Sequence, residues 1–149
     1  MSYRASTLRL PNGAVLAVGP KPPVGSAVGR GGFQVLVLCA IGYQPPAARF
    51  PGAIVLHVPL TDHGAAMTSI ERVLARRAGR IVARELSRGH NVLVTCEQGR
   101  NRSALVAALA LVYLGYPRVG AIAMLRRMRP FALANRDFAK MIEREGLSA

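Results

Sequence analysis

The sequence predicts an α/β fold: a central, mostly parallel sheet of about four to five strands flanked by helices. Three observations lead there. Four short apolar runs, at 15–18, 33–38, 54–58 and 92–95, are rich in β-branched residues and lack apolar–polar alternation, as strands covered on both faces do. Helical stretches fill the chain around the last of these runs and all of the C-terminal third, the mixture expected of helices packed on a sheet. The run at 92–95 leads through a short loop directly into a long apolar helix. In such sheets ligands bind beyond the carboxyl ends of the strands, which is where this loop lies.

Taken in order, the strand at 15–18 precedes a Gly/Pro-rich stretch, 19–32, that reads as a mobile loop rather than a domain linker, because too little chain comes before it. The strand at 33–38 ends in VLVLC at Cys39, and the strand at 54–58 follows. A helix at 69–88 opens on Thr68 and Glu71, spaced as a capping box, is weakened locally at Gly79 and stops at Gly89. The strand at 92–95 ends at Cys96. The helix at 102–114 is apolar all round and stops at Gly115 with Pro117 beyond it, and further helices are expected at 119–128 and 135–145.

At 149 residues the chain suits one domain, 1–149, with an adequate core, and an apolar content of 51% excludes a disordered chain. No N-terminal segment reads as a secretory signal, and the longest apolar stretch, 104–114, is too short to cross a bilayer. Two cysteines without secretory features imply a reducing, cytoplasmic setting. The net charge of +13 points two ways. It suits a polyanionic partner. Yet Lys21 and Lys140 are the only lysines, so 18 of the 20 basic residues are arginines, spread along helices in an Ala- and Gly-rich chain. That is the pattern of solvated helix faces and of coding bias.

The chemistry is concentrated in VLVTCEQGRNRS, residues 92–103. A thiol, Cys96, stands at a strand end; the loop Glu97, Gln98, Gly99, Arg100, Asn101 follows; and Arg102 and Ser103 open the helix. Backbone N–H groups of such a loop can face one tetrahedral anion, and the helix N-terminus adds unsatisfied donors and the positive end of its dipole. Arg102 supplies a planar fork matched to two phosphate oxygens. The same field favours a thiolate, which makes Cys96 a candidate nucleophile. The three histidines, His57, His63 and His90, and the two cysteines show no metal-ligand spacing, and no cofactor is expected.

On these residues the chain resembles the cysteine-dependent protein tyrosine phosphatases, in their small dual-specificity phosphatase branch. The family signature H-C-x-x-G-x-x-R-[ST] stands here as TCEQGRNRS, with Thr95 in place of the histidine. Upstream, IVLHVPLTDHG places Asp62 where the family has its general acid; downstream, Arg129, Pro130, Asn135 and Phe138 match a third family segment. The resemblance implies a dual-specificity-phosphatase-like sheet and a two-step phosphoryl transfer through Cys96. In it Arg102 and the loop N–H groups hold the phosphate, Asp62 serves as acid and then base, and Ser103 assists departure of the sulfur. Thr95 carries no charge, so it weakens the thiolate unless Arg100 compensates; Arg100 equally suits an outward, solvated position. Asp62 could instead cap a helix, but Thr68 is the better cap, which leaves Asp62 free in its loop. His63 beside it reads as a surface residue. Cys39 ends its strand as Cys96 does, so it is either an ordinary buried thiol or a redox partner of the kind some relatives carry.

The expected substrate is phosphotyrosine, with phosphoserine and phosphothreonine, on a phosphorylated protein. The nearest aromatics before Asp62 are Tyr43 and Phe50, which implies a shallow pocket. A second reading keeps the chemistry and turns it on RNA 5′ phosphates or phosphoinositides, following the charge. A third keeps only the phosphate-binding loop, as a pseudophosphatase.

Overall fold

The strands expected from the apolar runs form one sheet in the computed structural model, which describes residues 3–62 and 66–146. The strands are β1 (Ser6–Arg9), β2 (Val15–Gly19), β3 (Val35–Ala40), β4 (Ile54–Leu60) and β5 (Val92–Thr95), in the order β1-β2-β5-β3-β4. All neighbours are parallel except β1, which returns antiparallel to β2 at the edge. The helices are α1 (Ala27–Arg30), α2 (Ser69–Ser87), α3 (Arg102–Tyr113), α4 (Arg118–Met128) and α5 (Arg136–Arg144), with a 3₁₀ turn at Ala47–Arg49.

The absence of alternation in the strands has a plain cause: both faces of the sheet are covered. Leu16, Val18, Val35, Val37, Val92 and Val94 face the larger core, beneath the apolar residues of α2, α3, α4 and α5. Ala17, Leu36, Leu38 and Leu93 face a smaller cluster on the other side with Val28 and Phe50. Val28 lies in α1, so the Gly/Pro-rich stretch expected to be a loop in fact contains a helical turn that closes this second layer. Helix α3 is buried along nine successive residues, Ser103 to Leu111, which is why its sequence is apolar all round.

Gly79, read from sequence as a weak point of α2, has a packing role. A Cβ there would stand 2.9 Å from Leu109 Cβ and 3.1 Å from the Tyr113 ring, so only glycine lets α2 and α3 approach this closely. The expected capping box is formed: the Thr68 hydroxyl accepts from the Glu71 N–H at 3.1 Å, and Glu71 accepts from the Thr68 N–H at 3.1 Å. Among the described residues no helix is long and apolar enough to cross a membrane.

Strand β5 lies at the centre, and its register pairs Thr95 with both Gly19 of β2 and Leu38 of β3. Strands β2 and β5 thus end level while β3 runs on to Ala40, and the residue after Thr95 emerges at the carboxyl edge of the sheet.

Candidate active site

The N–H of Cys96 donates to Gly19 O at 3.2 Å, one more bond along the β2 edge, and the loop then breaks away. What shapes that loop is the placement of its carbonyls. Glu97 O accepts from the Lys21 N–H at 3.4 Å. Gln98 O and Gly99 O accept from the Arg129 guanidinium at 3.0 and 2.8 Å. Arg100 O accepts from the Leu133 N–H and Asn101 O from the Leu105 N–H, each at 2.8 Å.

A trans peptide holds its N–H opposite its carbonyl. Tying down five successive carbonyls therefore turns the N–H groups of Gln98, Gly99, Arg100, Asn101 and Arg102 away from those anchors. Among the described residues none of the five donates to a protein acceptor. Gly99 is required by this wrap: its φ is +69°, and a Cβ would stand 2.6 Å from the Gly19 carbonyl carbon and 2.7 Å from Arg129 Nε. Asn101 occupies the N-cap position of α3 without a side-chain cap bond, so the helix end keeps its free donors.

Of this loop, Gln98, Arg100, Asn101 and Arg102 line a cleft of about 440 Å³ together with Asp62, Cys96 and Phe131. Cys96, only 4% exposed, has its Sγ 3.2 Å from Ser103 Oγ. Arg102 donates through Nη1 to Leu60 O at 3.1 Å, while its buried Nε has no protein partner. A guanidinium fixed at one nitrogen and unsatisfied at another can take an anion's oxygen without first breaking a bond.

Asp62 caps no helix, as the capping box at Thr68 implies, but neither is it free. Its Oδ2 accepts from Asn101 Nδ2 and its Oδ1 from Asn135 Nδ2, both at 2.8 Å. The backbone N–H of Asn135 donates to Asn101 Oδ1 at 2.9 Å, closing a ring of three residues. Asn135 also caps α5, its Oδ1 accepting from the Asp137 and Phe138 N–H groups. One asparagine thus positions both a helix and a carboxylate. From the other side, Glu71 Oε2 accepts from the Thr61 N–H and hydroxyl at 2.9 and 2.7 Å. Burial opposes ionisation of Glu71, but the bonds from Thr61 and Thr68 outweigh it and hold its carboxyl below the usual range. His63 lies outside the described residues.

Thr95 is buried and donates to Val37 O at 2.9 Å, so it joins β5 to β3 and puts no charge beside the thiol. Arg100 is exposed and lines the cleft, with its guanidinium 5.7 Å from the Phe131 ring centre. Cys39 and Cys96 are both unpaired, and both face the larger core just beyond the paired residues Leu38 and Thr95. Burial pushes the Cys39 thiol well up; Cys96 adds to the rise and Arg102 opposes it. Tyr43 and Phe50 lie elsewhere: Phe50 is in the smaller core, and the Tyr43 hydroxyl donates to Pro22 O at 2.6 Å.

No family profile matches the sequence, and a search among characterised proteins finds no similar one. Solved structures do match. A mouse putative dual specificity phosphatase complexed with zinc tungstate is 26% identical over 93% of this chain and 84% of that one, with a TM-score of 0.74. Human DUSP28 is 24% identical over 93% of both chains, again with a TM-score of 0.74. A kinase associated phosphatase with its catalytic-site cysteine replaced by serine reaches a TM-score of 0.77 at 20% identity, over 97% of this chain and 94% of that one. This is the fold of the small dual-specificity phosphatases.

Within the dual-specificity phosphatase fold, the Cys96 loop stands at the carboxyl edge of the sheet and Asp62 reaches it from the segment after β4. Cys96, Arg102 and Asp62 line one cleft, and Ser103, fully buried, meets it only through its contact with the Cys96 sulfur. Three features were not read from the sequence: the tie of Asp62 to Asn101 and Asn135, the second use of the Glu71 carboxylate, and Phe131 at the cleft. The capping spacing at Thr68 signalled Glu71, and the third family segment singled out Asn135 without its role; nothing local signalled Phe131.

Proposed function

We propose that the protein is a phosphatase that hydrolyses phosphate monoesters of proteins, phosphotyrosine and with it phosphoserine and phosphothreonine, through a phosphocysteine intermediate. One observation carries the reading: a nearly buried thiol shares one cleft with loop residues whose N–H groups have no protein acceptor among the described residues and with Arg102, whose Nε has no protein partner. In the first step the Cys96 sulfur attacks phosphorus in line, the S–P bond forms, the P–O bond breaks, and Asp62 protonates the departing oxygen. The loop N–H groups and Arg102 hold the equatorial oxygens as charge shifts among them. In the second step water attacks phosphorus, gives its proton to Asp62, and releases the sulfur, which Ser103 stabilises by a hydrogen bond. The mouse structure carrying tungstate, a tetrahedral oxyanion, supports an oxyanion site of this kind in the fold.

A second reading, hydrolysis of RNA 5′ phosphates or phosphoinositides, is favoured by the net charge of +13. Turnover of phosphopeptides and of these polyanions at several salt concentrations separates the two.

The acid role is tested through the leaving group. Asp62→Asn should cut kcat/KM, which reports the first step, by about 10²–10⁴-fold on phenyl phosphate and leave kcat/KM on 2,4-dinitrophenyl phosphate, whose leaving group needs no proton, nearly unchanged. Asn135→Ser keeps a cap for α5 but cannot reach Asp62, so it should show the same selective loss at about tenfold. Equal losses on both esters would mean that Asp62 is not the acid.

Cys39 is proposed as a redox partner of Cys96. Adjacent strands stand about 4.8 Å apart, within disulfide reach. Peptide mapping after peroxide treatment should find a Cys39–Cys96 disulfide, and Cys39→Ser should inactivate irreversibly at a lower peroxide dose; a Cys96 oxidised without that crosslink contradicts the role.

A further inference from the structure

Phe131 is the sole aromatic side chain among the described residues lining the cleft. It holds that place against two ordinary preferences. The residue is 74% exposed, and its φ is +69°, a backbone region that bulky residues rarely enter. Other exposed apolar residues, such as Ile70 and Val119, sit on regular helices and need no explanation.

The neighbours show what holds Phe131 there. Ala132 and Leu133 are buried in the larger core, and their carbonyls accept from the Arg126 guanidinium at 3.3 and 3.2 Å. The Leu133 N–H donates to Arg100 O at 2.8 Å, fastening this segment to the catalytic loop. With its successors anchored inward, Phe131 is held outward at the mouth of the cleft. The Arg100 guanidinium near its ring further limits where the ring can go.

We infer that Phe131 is a specificity-determining wall that receives the aryl ring of phosphotyrosine and makes the site prefer aryl over alkyl phosphate monoesters. The inference rests on the phosphatase reading for its reaction, but on the cleft alone for its binding. When the phosphate sits over Cys96, a phosphotyrosine necessarily threads its ring through the cleft mouth. A phosphoserine or phosphothreonine brings its backbone there instead and offers no ring to pack.

The test compares phosphotyrosyl and phosphothreonyl peptides of otherwise identical sequence on wild type and Phe131→Gly. Glycine adopts the positive φ without strain, and an unchanged melting temperature confirms that the loop is kept. An aromatic pair of ordinary strength predicts a fall of about tenfold in kcat/KM on the phosphotyrosyl peptide, mostly through KM, and less than twofold on the other. Equal losses on both peptides, or no loss on the phosphotyrosyl one, overturn the inference. The same peptides are titrated calorimetrically against Cys96→Ser with and without Phe131→Gly. If wild type hydrolyses neither peptide yet binding shows the aryl preference and Phe131→Gly removes it, the phosphatase reading fails and the wall stands. If neither peptide binds, both fail.

Discussion

Cys96→Ser should reduce hydrolysis of any phosphate monoester by at least about 10⁴-fold while leaving the fold intact. The reasoning is chemical rather than steric. The side chain is nearly buried, and the serine oxygen takes up less room than sulfur, so nothing around it has to move. What changes is the nucleophile: an alcohol stays protonated where a thiol can ionise, and the only group hydrogen-bonded to the sulfur among the described residues, Ser103, is itself a hydroxyl with no basicity to offer. The unused loop N–H groups and Arg102 are untouched by the change. The variant should therefore still bind orthovanadate or a phosphopeptide, seen as a rise in melting temperature with ligand. Loss of turnover together with binding would point to a collapsed loop instead.

Arg102→Lys should cost about 10²–10³-fold in kcat/KM, although the charge is kept. The arginine uses its geometry: Nη1 is fixed on Leu60 O while Nε remains unpartnered beside the cleft. A lysine ammonium is a single point that can serve the carbonyl or the anion but not both in that arrangement. Leu60 ends β4, just ahead of Asp62, so the lost bond also loosens the strand that delivers the acid. Steady-state kinetics with a melting curve as control reads the effect. A lysine variant within threefold of wild type would mean that Arg102 supplies only charge.

The parts of this fold legible in the sequence are those whose cause is local. An apolar run buried on both faces, β5, and a helix apolar all round, α3, show themselves by composition, and the capping spacing at Thr68 marks the start of α2. Edge strand β1 went unread because it alternates half-buried and exposed residues and ends in arginine, which is how an edge strand facing water looks. Helix α1 is a single turn in a glycine-rich stretch and owes its form to Val28 docking on Phe50, a partner far along the chain. The same division holds at the site. Cys96 to Ser103 is one contiguous segment, so its spacing reports its geometry. Asp62 meets its partners across 39 and 73 residues of chain, and no periodicity carries that information. The outward placement of Phe131 follows from the burial of Ala132 and Leu133, which no local pattern around it announces.

The central claim is that phosphate passes through the Cys96 sulfur, and the most direct measurement is rapid acid quench of the protein turning over para-nitrophenyl phosphate with reductant present, followed by mass spectrometry of the peptide bearing Cys96. The account predicts a phosphate mass on that peptide in wild type, accumulating in Asp62→Asn, whose second step lacks its base, and absent in Cys96→Ser. Hydrolysis that persists in Cys96→Ser, or turnover by wild type with no phosphate on the Cys96 peptide in either active form, would contradict it.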